Sequence, residues 1–316
     1  MNFNFVTYKA TGNIIGVAYY PEFFDMSVFM KDRNLRRRLK DTAIENKCDS
    51  VMVLAKTADI PFLRTVVFEP NAGEDGAFST MCGNGVRAVA AYAHEYLKYR
   101  AWPLNLRTES GVLAIEKTGN RSYRVRMGSV VSDIGSLRRY VNTLYFPGYS
   151  TLTDVPIPTN LLRKINDLPF GLAGPICSVG FSTAEAYTNH ADGEPHMVIE
   201  LGKSVRGMEE LKKTAQRYGP FICENQDIFP LGINVNFVVP HQDKTGPFLI
   251  CTFERNLGET AEKSVTKACG TGATFAGAEQ IRKLNLSKVV AECLGGKLQI
   301  EEQGGAFYLS GSAVRV

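Results

Sequence analysis

The sequence lacks the features that are typical of membrane proteins, of secreted proteins and of proteins with a structural metal site. It has no apolar run near the ~18 residues of a membrane span, and its first residues show no basic region followed by an apolar stretch. Its cysteines are odd in number and have no Cys-x-x-Cys spacing; they are at 48, 82, 177, 223, 251, 269 and 293. This pattern argues against a disulfide framework and a zinc site. We therefore expect reduced thiols, no metal and a cytoplasmic location.

The charge is too modest to identify a macromolecular partner. A formal net charge of +4, with 22% charged and 44% hydrophobic residues, is ordinary for a globular chain with a sizeable core. The densest basic run is 31–40, and no aromatic residue interleaves with its arginines. We interpret this run as the solvated face of a helix and expect no nucleic-acid or membrane partner. The expected partner is a small molecule, with a homodimer kept among the options.

One short signature occurs twice. Residues 68–74 read Phe-Glu-Pro-Asn-Ala-Gly-Glu and lead to Cys-Gly-Asn-Gly at 82–85. Residues 253–259 read Phe-Glu-Arg-Asn-Leu-Gly-Glu and lead to Cys-Gly-Thr-Gly at 269–272. One copy lies in each half of the chain, which indicates a duplicated domain rather than a solenoid.

Apolar periodicity predicts helices at 30–46, 85–99, 208–218 and 271–284. Short β-branched runs predict strands at 13–18, 50–54, 64–68, 111–115, 122–127, 234–239, 248–253 and 297–301. We expect an α+β fold with two pseudo-symmetric lobes, each a curved mixed β-sheet around a central helix, and an active site in the cleft between them. The first lobe would comprise 1–130 and the second 131–304, with a final strand near 305–316 packing onto the first. Five prolines in 140–176 indicate a crossover or an elaborated loop at the start of the second lobe.

Each duplicated cysteine directly precedes a predicted helix. The N-terminus of a helix favours negative charge, so this position should lower the thiol pKa and favour the thiolate. Two opposed thiols suit the inversion of a stereocentre next to a carboxylate, because one removes a proton while the other returns one. Cys82 and Cys269 are therefore the candidate catalytic pair.

The glycines after each cysteine suggest a second role for the same helix ends. Without side chains they leave backbone N–H groups uncovered, where a substrate α-carboxylate could be held. Such contacts would stabilise a carbanionic transition state electrostatically. We therefore expect no cofactor.

Four motifs resemble the diaminopimelate epimerases, in that family's order and across essentially the whole chain. They are 81–87 (Met-Cys-Gly-Asn-Gly-Val-Arg), 234–237 (Asn-Val-Asn-Phe), 254–260 with its Glu-Arg and Gly-Glu-Thr, and 268–273 (Ala-Cys-Gly-Thr-Gly-Ala). The resemblance implies two facing lobes, one catalytic thiol from each, no cofactor, and interconversion of LL- and meso-diaminopimelate for lysine and cell-wall synthesis.

The resemblance also implies roles for individual residues. Gly83, Asn84, Gly270 and Thr271 would bind the reacting α-carboxylate and amine. The remaining substrate contacts would come from Asn13, Asn71, Asn234 and Arg255, the arginine pairing with a distal carboxylate. Glu254 and His196 would orient the substrate amine or tune the thiol pKa. A structural reading remains for the polar residues, because Asn before Gly is often a turn residue and a histidine can lie unremarkably at a strand edge.

The chain departs from the family in four places. Glu194 stands where the family usually has asparagine, and Ser50 where it usually has glutamine. The amino-terminal motif reads Lys-Ala-Thr-Gly-Asn at 9–13, and the segment 259–269 is longer than usual. Glu194 and Ser50 are candidate specificity positions, because a carboxylate at 194 could favour a cationic side chain.

Three other functions are compatible with the sequence. One is a racemase of a basic amino acid (lysine, ornithine, arginine or histidine) on the same scaffold. Another is a related isomerase on the same fold. Asn71, Asn234 and Arg255 disfavour a proline racemase-like enzyme, and the presence of both thiols disfavours a phenazine-synthesis-like one. A non-enzymatic reading makes the two thiols a redox switch.

Overall fold

The computed structural model describes residues 3–21, 26–56, 63–79, 81–109, 111–183, 193–241, 243, 246–255 and 264–316. Among these residues, no helix is long and apolar enough to cross a membrane. The second copy of the repeated signature runs into 256–263, so its Asn-Leu-Gly-Glu part and the extra residues before Ser264 lie outside the described residues.

The fold contains many strands and few helices, as expected for the α+β class. The strands are β1 (Asn4–Ala10), β2 (Asn13–Tyr20), β3 (Ser50–Lys56), β4 (Leu63–Glu69), β5 (Ala77–Ser79), β6 (Leu104–Thr108), β7 (Gly111–Gly119), β8 (Ser122–Val131), β9 (Val155–Pro156), β10 (Ile176–Thr183), β11 (His196–Glu200), β12 (Asn234–Val239), β13 (Phe248–Phe253), β14 (Lys288–Cys293), β15 (Gly296–Gln303), β16 (Ala306–Ser312) and β17 (Val314–Arg315). The α-helices are α1 (Met26–Lys31), α2 (Arg33–Glu45), α3 (Gly83–Glu95), α4 (Ile134–Leu137), α5 (Thr159–Leu162), α6 (Met208–Cys223) and α7 (Gly270–Leu284).

All four predicted helices and all eight predicted strands are present, with shifted ends. The sequence interpretation did not predict strands such as β1, β6, β10, β11 and β14.

The chain divides into two compact units. The first contains the described residues up to Met127 together with Tyr308–Val316. The second contains Gly128–Thr183 and the described residues from Gly193 to Phe307. Cys82 lies in the first unit and Cys269 in the second.

The strand ladder of the first unit closes on itself. β1 pairs with β2, β2 with β3 and β3 with β4, and the ladder continues through β6, β7 and β8. β8 pairs with β16, whose continuation β17 pairs with β1. Helix α3 packs against β1, β2, β3 and β7 and is buried from Gly83 to Ala93. Its small residues suit this position, because they let the surrounding strands approach closely.

The sheet of the second unit runs from β9 through β10, β11, β12, β13 and β14 to β15. The β11–β12 and β13–β14 pairs are parallel and the others antiparallel. Helix α6 packs on β12 and β13, while α7 packs on β10, β11, β12, β14 and β15. Strand β12 is buried at every position. Its two asparagines must therefore find hydrogen-bond partners inside the protein.

The proline-containing segment 140–176 packs as part of the second unit. It contains β9 and α5, and it contributes Tyr140, Phe146 and Leu161 to the buried core of that unit. This agrees with an elaborated loop that has enough apolar surface to pack.

The arginines of the basic run 31–40 lie on α2, but their charges are not simply solvated. Arg33 and Arg37 both pair with Asp75, at 2.6 and 3.0 Å. Lys40 Nζ donates to the backbone carbonyls of Gly73 and Glu74. Helix α2 therefore holds the turn that follows β4, which carries the first copy of the repeated signature.

Candidate active site

Two cysteines occupy the same local geometry in different units. Cys82 is the N-cap of α3, and its sulfur accepts the backbone N–H of Gly85 at 3.3 Å. Cys269 is the N-cap of α7, and its sulfur accepts the backbone N–H of Gly272 at 3.4 Å. Both cysteines have extended backbone angles, as N-cap residues do. Each thiol is thus held at the positive end of a helix.

The third residue of each helix is glycine because neighbouring groups fill the space of a side chain. A Cβ at Gly85 would lie 2.2 Å from Met52 Sδ, and one at Gly272 would lie 2.4 Å from Asn236 Oδ1. The sequence interpretation attributed these glycines to uncovered N–H groups for the substrate. For Gly85 and Gly272 that interpretation is wrong, because their N–H groups already donate to the cysteine sulfurs.

The first unit collects several predicted site residues around the start of α3. Arg87 is fully buried one turn into the helix. Its Nη2 donates to Asn84 Oδ1 at 2.5 Å and to Thr11 Oγ1 at 3.0 Å. Thr11 lies in the tight turn before Asn13, which is itself buried at the start of β2. Arg87, which was only part of a motif in the sequence, therefore links Asn84 to the Asn13 turn.

Ser50 and Asn71 have different surroundings in the same unit. The Ser50 hydroxyl donates to Glu69 Oε2 at 2.8 Å, and the Ser79 hydroxyl donates to Glu69 Oε1 at 3.2 Å. Asn71 is exposed in the turn after β4. The described contacts therefore do not link Asn71 to the α3 residues, and its substrate role stays a prediction.

The pKa of the Cys269 thiol is raised, whereas its position at a helix N-terminus was expected to lower it. Its pKa lies well above the ordinary value, first because the group is buried and then because Glu254 is close and hydrogen-bonded to it. The Gly272 N–H and the Thr271 hydroxyl act in the opposite direction but do not prevail. Burial beside a carboxylate therefore outweighs the helix end, and Cys269 rests as a thiol.

His196, at the start of β11, is a fully buried neutral base. Its pKa is lowered to about 3, mainly by burial and further by the positive charge of Arg255. Its Nε2 lies 2.9 Å from Thr271 Oγ1, and its Nδ1 lies 3.2 Å from Asn236 Nδ2. Thr271 Oγ1 lies 3.4 Å from Cys269 Sγ. The histidine is thus connected to the thiol through one hydroxyl.

The buried histidine predicts a pH-dependent stability. Between pH 6.5 and 3 the unfolded chain binds a proton at this histidine and the folded chain does not, so stability falls as pH falls through this window. From pH 7 to pH 5 this should remove about 2 kcal/mol from the free energy of unfolding. We expect wild type to lose that much more than His196→Gln in denaturant titrations at the two pH values. Equal losses would show that the histidine is protonated in the folded state.

Arg255 is already engaged by groups of its own unit. Its Nη2 donates to Glu194 Oε2 at 2.9 Å, and its Nη1 donates to the carbonyls of Leu231 and Gly232 at 2.8 and 3.2 Å. Its backbone N–H donates to Asn234 Oδ1 at 2.9 Å. Arg255, the arginine predicted to bind a distal carboxylate of the substrate, therefore already forms an ion pair with Glu194, one of the residues that depart from the family.

The second unit thus brings most of its predicted site residues into one network of contacts. The network contains Cys269, Thr271, His196, Asn234, Glu254, Arg255 and Glu194. Gly270 lies beside it as the first residue of α7. The sequence interpretation did not single out Asn236 and Thr252. Asn236 contacts His196, and Thr252 donates a hydrogen bond to Asn236, so both belong to this network. The sequence signal that could have pointed to Asn236 was an asparagine inside the otherwise apolar run 235–239. Within the described ranges, no three His, Cys, Asp or Glu side chains form a group suited to a metal ion.

Proteins of known sequence or structure resemble this chain over most of its length. No protein-family model matches the chain. The diaminopimelate epimerase of Prochlorococcus marinus strain NATL2A is 25% identical over 334 aligned positions, which cover 100% of this chain and 98% of the relative. A probable proline racemase from Agrobacterium radiobacter K84 superposes with a TM-score of 0.61 at 13% identity, covering 99% of this chain and 91% of that one. A phenazine biosynthesis PhzF family protein from Enterococcus faecalis gives 0.60 at 14% identity, covering 100% and 97%.

The two solved structures show the fold, a mixed sheet with few helices. The sequence relative, together with the paired helix caps, makes the chain an isomerase of the epimerase and racemase type. Within that class, the predicted resemblance to the diaminopimelate epimerase family is confirmed.

Proposed function

We propose that the protein is a cofactor-independent amino-acid epimerase in which Cys82 and Cys269 each transfer a proton at one face of the substrate α-carbon. The observation that carries this proposal is the matched pair of N-cap thiols, with sulfur to N–H distances of 3.3 and 3.4 Å in two separate units. Two sulfurs held in the same way suit a pair of groups that exchange the roles of acid and base. The favoured substrate is diaminopimelate, converted from the LL to the meso form for lysine and peptidoglycan synthesis.

The resting state of Cys269 defines its first step. Because burial and Glu254 keep this thiol protonated, it is suited to act as the acid. In that direction the Cys82 thiolate takes the α-proton and becomes a thiol. Cys269 then gives its proton to the opposite face and becomes a thiolate, which keeps the hydrogen bond from the Gly272 N–H. The reverse reaction exchanges the two roles.

The negative charge that develops on the substrate needs stabilisation. The starts of α3 and α7, at Gly83, Asn84, Gly270 and Thr271, supply the positive ends of two helices. In the proposal these ends hold the α-carboxylate. Backbone dipoles that are already oriented stabilise a carbanionic transition state without reorganisation.

A second candidate function follows from the Arg255–Glu194 ion pair. Both side chains are largely buried, 19% and 22% exposed. A distal carboxylate would have to compete with Glu194 for the guanidinium, whereas a cationic side chain could be attracted by the same carboxylate. The pair therefore supports a racemase of lysine, ornithine, arginine or histidine as the alternative.

The experiment that tests both candidates is solvent-deuterium incorporation at the α-carbon, measured by NMR with reduced protein. The panel contains LL- and meso-diaminopimelate, lysine, ornithine, arginine and histidine. Exchange confined to diaminopimelate supports the first candidate, and exchange confined to a basic monocarboxylic amino acid supports the second. Absence of exchange with every member of the panel would contradict both.

A further inference from the structure

A continuous line of side chains leads away from the Cys269 sulfur into the core of the second unit. Thr271 Oγ1 is 3.4 Å from the sulfur, and His196 Nε2 is 2.9 Å from that hydroxyl. Asn236 Nδ2 is 3.2 Å from His196 Nδ1. The Thr252 hydroxyl ends the line, 2.8 Å from Asn236 Oδ1. The last three of these side chains are at most 3% exposed.

The line has a defined direction because of the Asn236 amide. Its nitrogen also lies 3.3 Å from the backbone carbonyl of Met197, which can only accept a hydrogen bond. Its oxygen faces the Thr252 hydroxyl, which donates. Turning the amide over would place its oxygen against the Met197 carbonyl. The nitrogen of Asn236 must therefore face His196 and donate to it.

This orientation selects one tautomer of His196. A neutral imidazole has one nitrogen that donates and one that accepts. Since Nδ1 accepts from Asn236, the proton is on Nε2 and is donated to Thr271 Oγ1. The Thr271 hydroxyl receives that bond, so its own hydrogen is free to point at the sulfur 3.4 Å away.

From this geometry we infer that Asn236 is a positioning residue, which fixes the His196 tautomer and so makes Thr271 a constant hydrogen-bond donor to Cys269. The inference rests on the proposed function only in the importance it gives to Cys269. Thr252 holds the far end of the Asn236 amide. Gly272 is part of the same arrangement, because a side chain there would collide with the Asn236 amide: its Cβ would lie 2.4 Å from Asn236 Oδ1.

The arrangement gives Cys269 different neighbours on two sides. Glu254 accepts the hydrogen of the thiol, while Thr271 and the Gly272 N–H donate to the sulfur. A donor stabilises the thiolate that forms after the proton has left. If His196 had the other tautomer, the Thr271 hydroxyl would donate to Nε2, and the sulfur would lose that donor.

The direct test is the histidine tautomer. Ring-labelled ¹⁵N-histidine protein contains four histidines, and the signals missing from His196→Gln assign His196. We expect a neutral ring with protonated Nε2 and unprotonated Nδ1 that persists down to about pH 5. A proton on Nδ1 would overturn the inference.

The effect on the thiol is measured by alkylation with iodoacetamide at a fixed pH near 8, with the modified cysteines quantified by mass spectrometry. The rate at Cys269 relative to Cys82 in the same molecule reports its thiolate fraction. We expect Asn236→Leu to lower this ratio roughly tenfold, as it would if the pKa of Cys269 rose by about one unit. Thr274→Val is the matched control, because the contact given by the described residues for this buried hydroxyl on α7 is a hydrogen bond donated to the Gly270 carbonyl.

The pair Thr252→Val and Thr252→Ser gives the same test with a milder change at the far end of the line. The valine variant should lower the alkylation ratio, and the serine variant, which keeps the hydroxyl, should restore it. An unchanged ratio in Asn236→Leu, or equal ratios in the two Thr252 variants, would overturn the inference. None of these readouts needs turnover, so a protein inactive on every amino acid but with the expected tautomer and ratios would contradict the proposed function alone.

Discussion

Replacing either thiol with a hydroxyl, in Cys82→Ser or Cys269→Ser, is expected to lower the rate of racemisation by about 10²–10⁴-fold. Serine has nearly the same shape, but its hydroxyl is a far weaker acid, and an alkoxide does not form at neutral pH. Each helix cap should survive the change, because a serine oxygen also accepts the i+3 backbone N–H. The measurement is the rate of change in optical rotation, or of chiral chromatographic product, with the substrate found by deuterium exchange.

The controls for this prediction are Cys48→Ser in the first unit and Cys223→Ser in the second. Both cysteines are buried, and burial raises the pKa of Cys48 to about 12 and that of Cys223 to about 11. Neither is the N-cap of a helix, and the Cys48 sulfur lies 3.9 Å from the Asn46 carbonyl oxygen. These variants should keep the wild-type rate. Full activity in Cys82→Ser or in Cys269→Ser would contradict the two-thiol mechanism.

The second large effect is expected at Glu194. Glu194→Gln removes the carboxylate that Arg255 binds at 2.9 Å and leaves the guanidinium for a distal carboxylate of the substrate. A hydrogen bond to a charged group contributes about 1.5–3 kcal/mol. The ratio of kcat/KM for diaminopimelate to kcat/KM for lysine should therefore rise by roughly 10- to 100-fold.

The matched control is Glu200→Gln, on the same strand as His196. The Glu200 carboxylate pairs with Lys283 at 3.1 Å, and its described contacts do not include Arg255. This variant should leave the substrate ratio unchanged. If Glu194→Gln left it unchanged as well, Glu194 would not be a specificity residue, and the ion pair would serve stability alone.

Local sequence patterns predicted the elements that carry the thiols, for a clear physical reason. The apolar period after each Cys-Gly-x-Gly is strong, so α3 and α7 were predicted close to their observed bounds. Strand β12 was predicted because four of its six residues, Val235, Phe237, Val238 and Val239, are typical of a buried strand. The confirmed resemblance then supplied the reaction class.

The interactions around Cys269 could not be predicted in the same way. Asn236 and His196 are 40 residues apart and Thr271 and His196 are 75 apart, so only the parallel β11–β12 register and the packing of α7 bring them together. The direction of the Cys269 pKa shift was also wrong from sequence. A helix end is visible in a sequence, whereas burial beside Glu254 depends on the tertiary fold.

The same distinction applies to Glu194 and Ser50. The sequence marked both as departures from the family, but it gave no partner for either. Glu194 binds Arg255, whereas Ser50 binds Glu69, a residue of the repeated signature itself. Glu194 is therefore the stronger candidate for controlling the substrate, because its partner is the only one of the two that carries a positive charge.

The most direct test of the two-thiol proposal is the position of deuterium early in a reaction run in D₂O. The substrate is the one that exchanges in the panel, and substrate and product are separated after the first few per cent of conversion. With two thiols, the product receives a solvent-derived deuteron from the opposite thiol, while recovered substrate keeps its α-proton. A product that retains the original α-proton would show that one group carries the same proton from face to face, and it would contradict the mechanism.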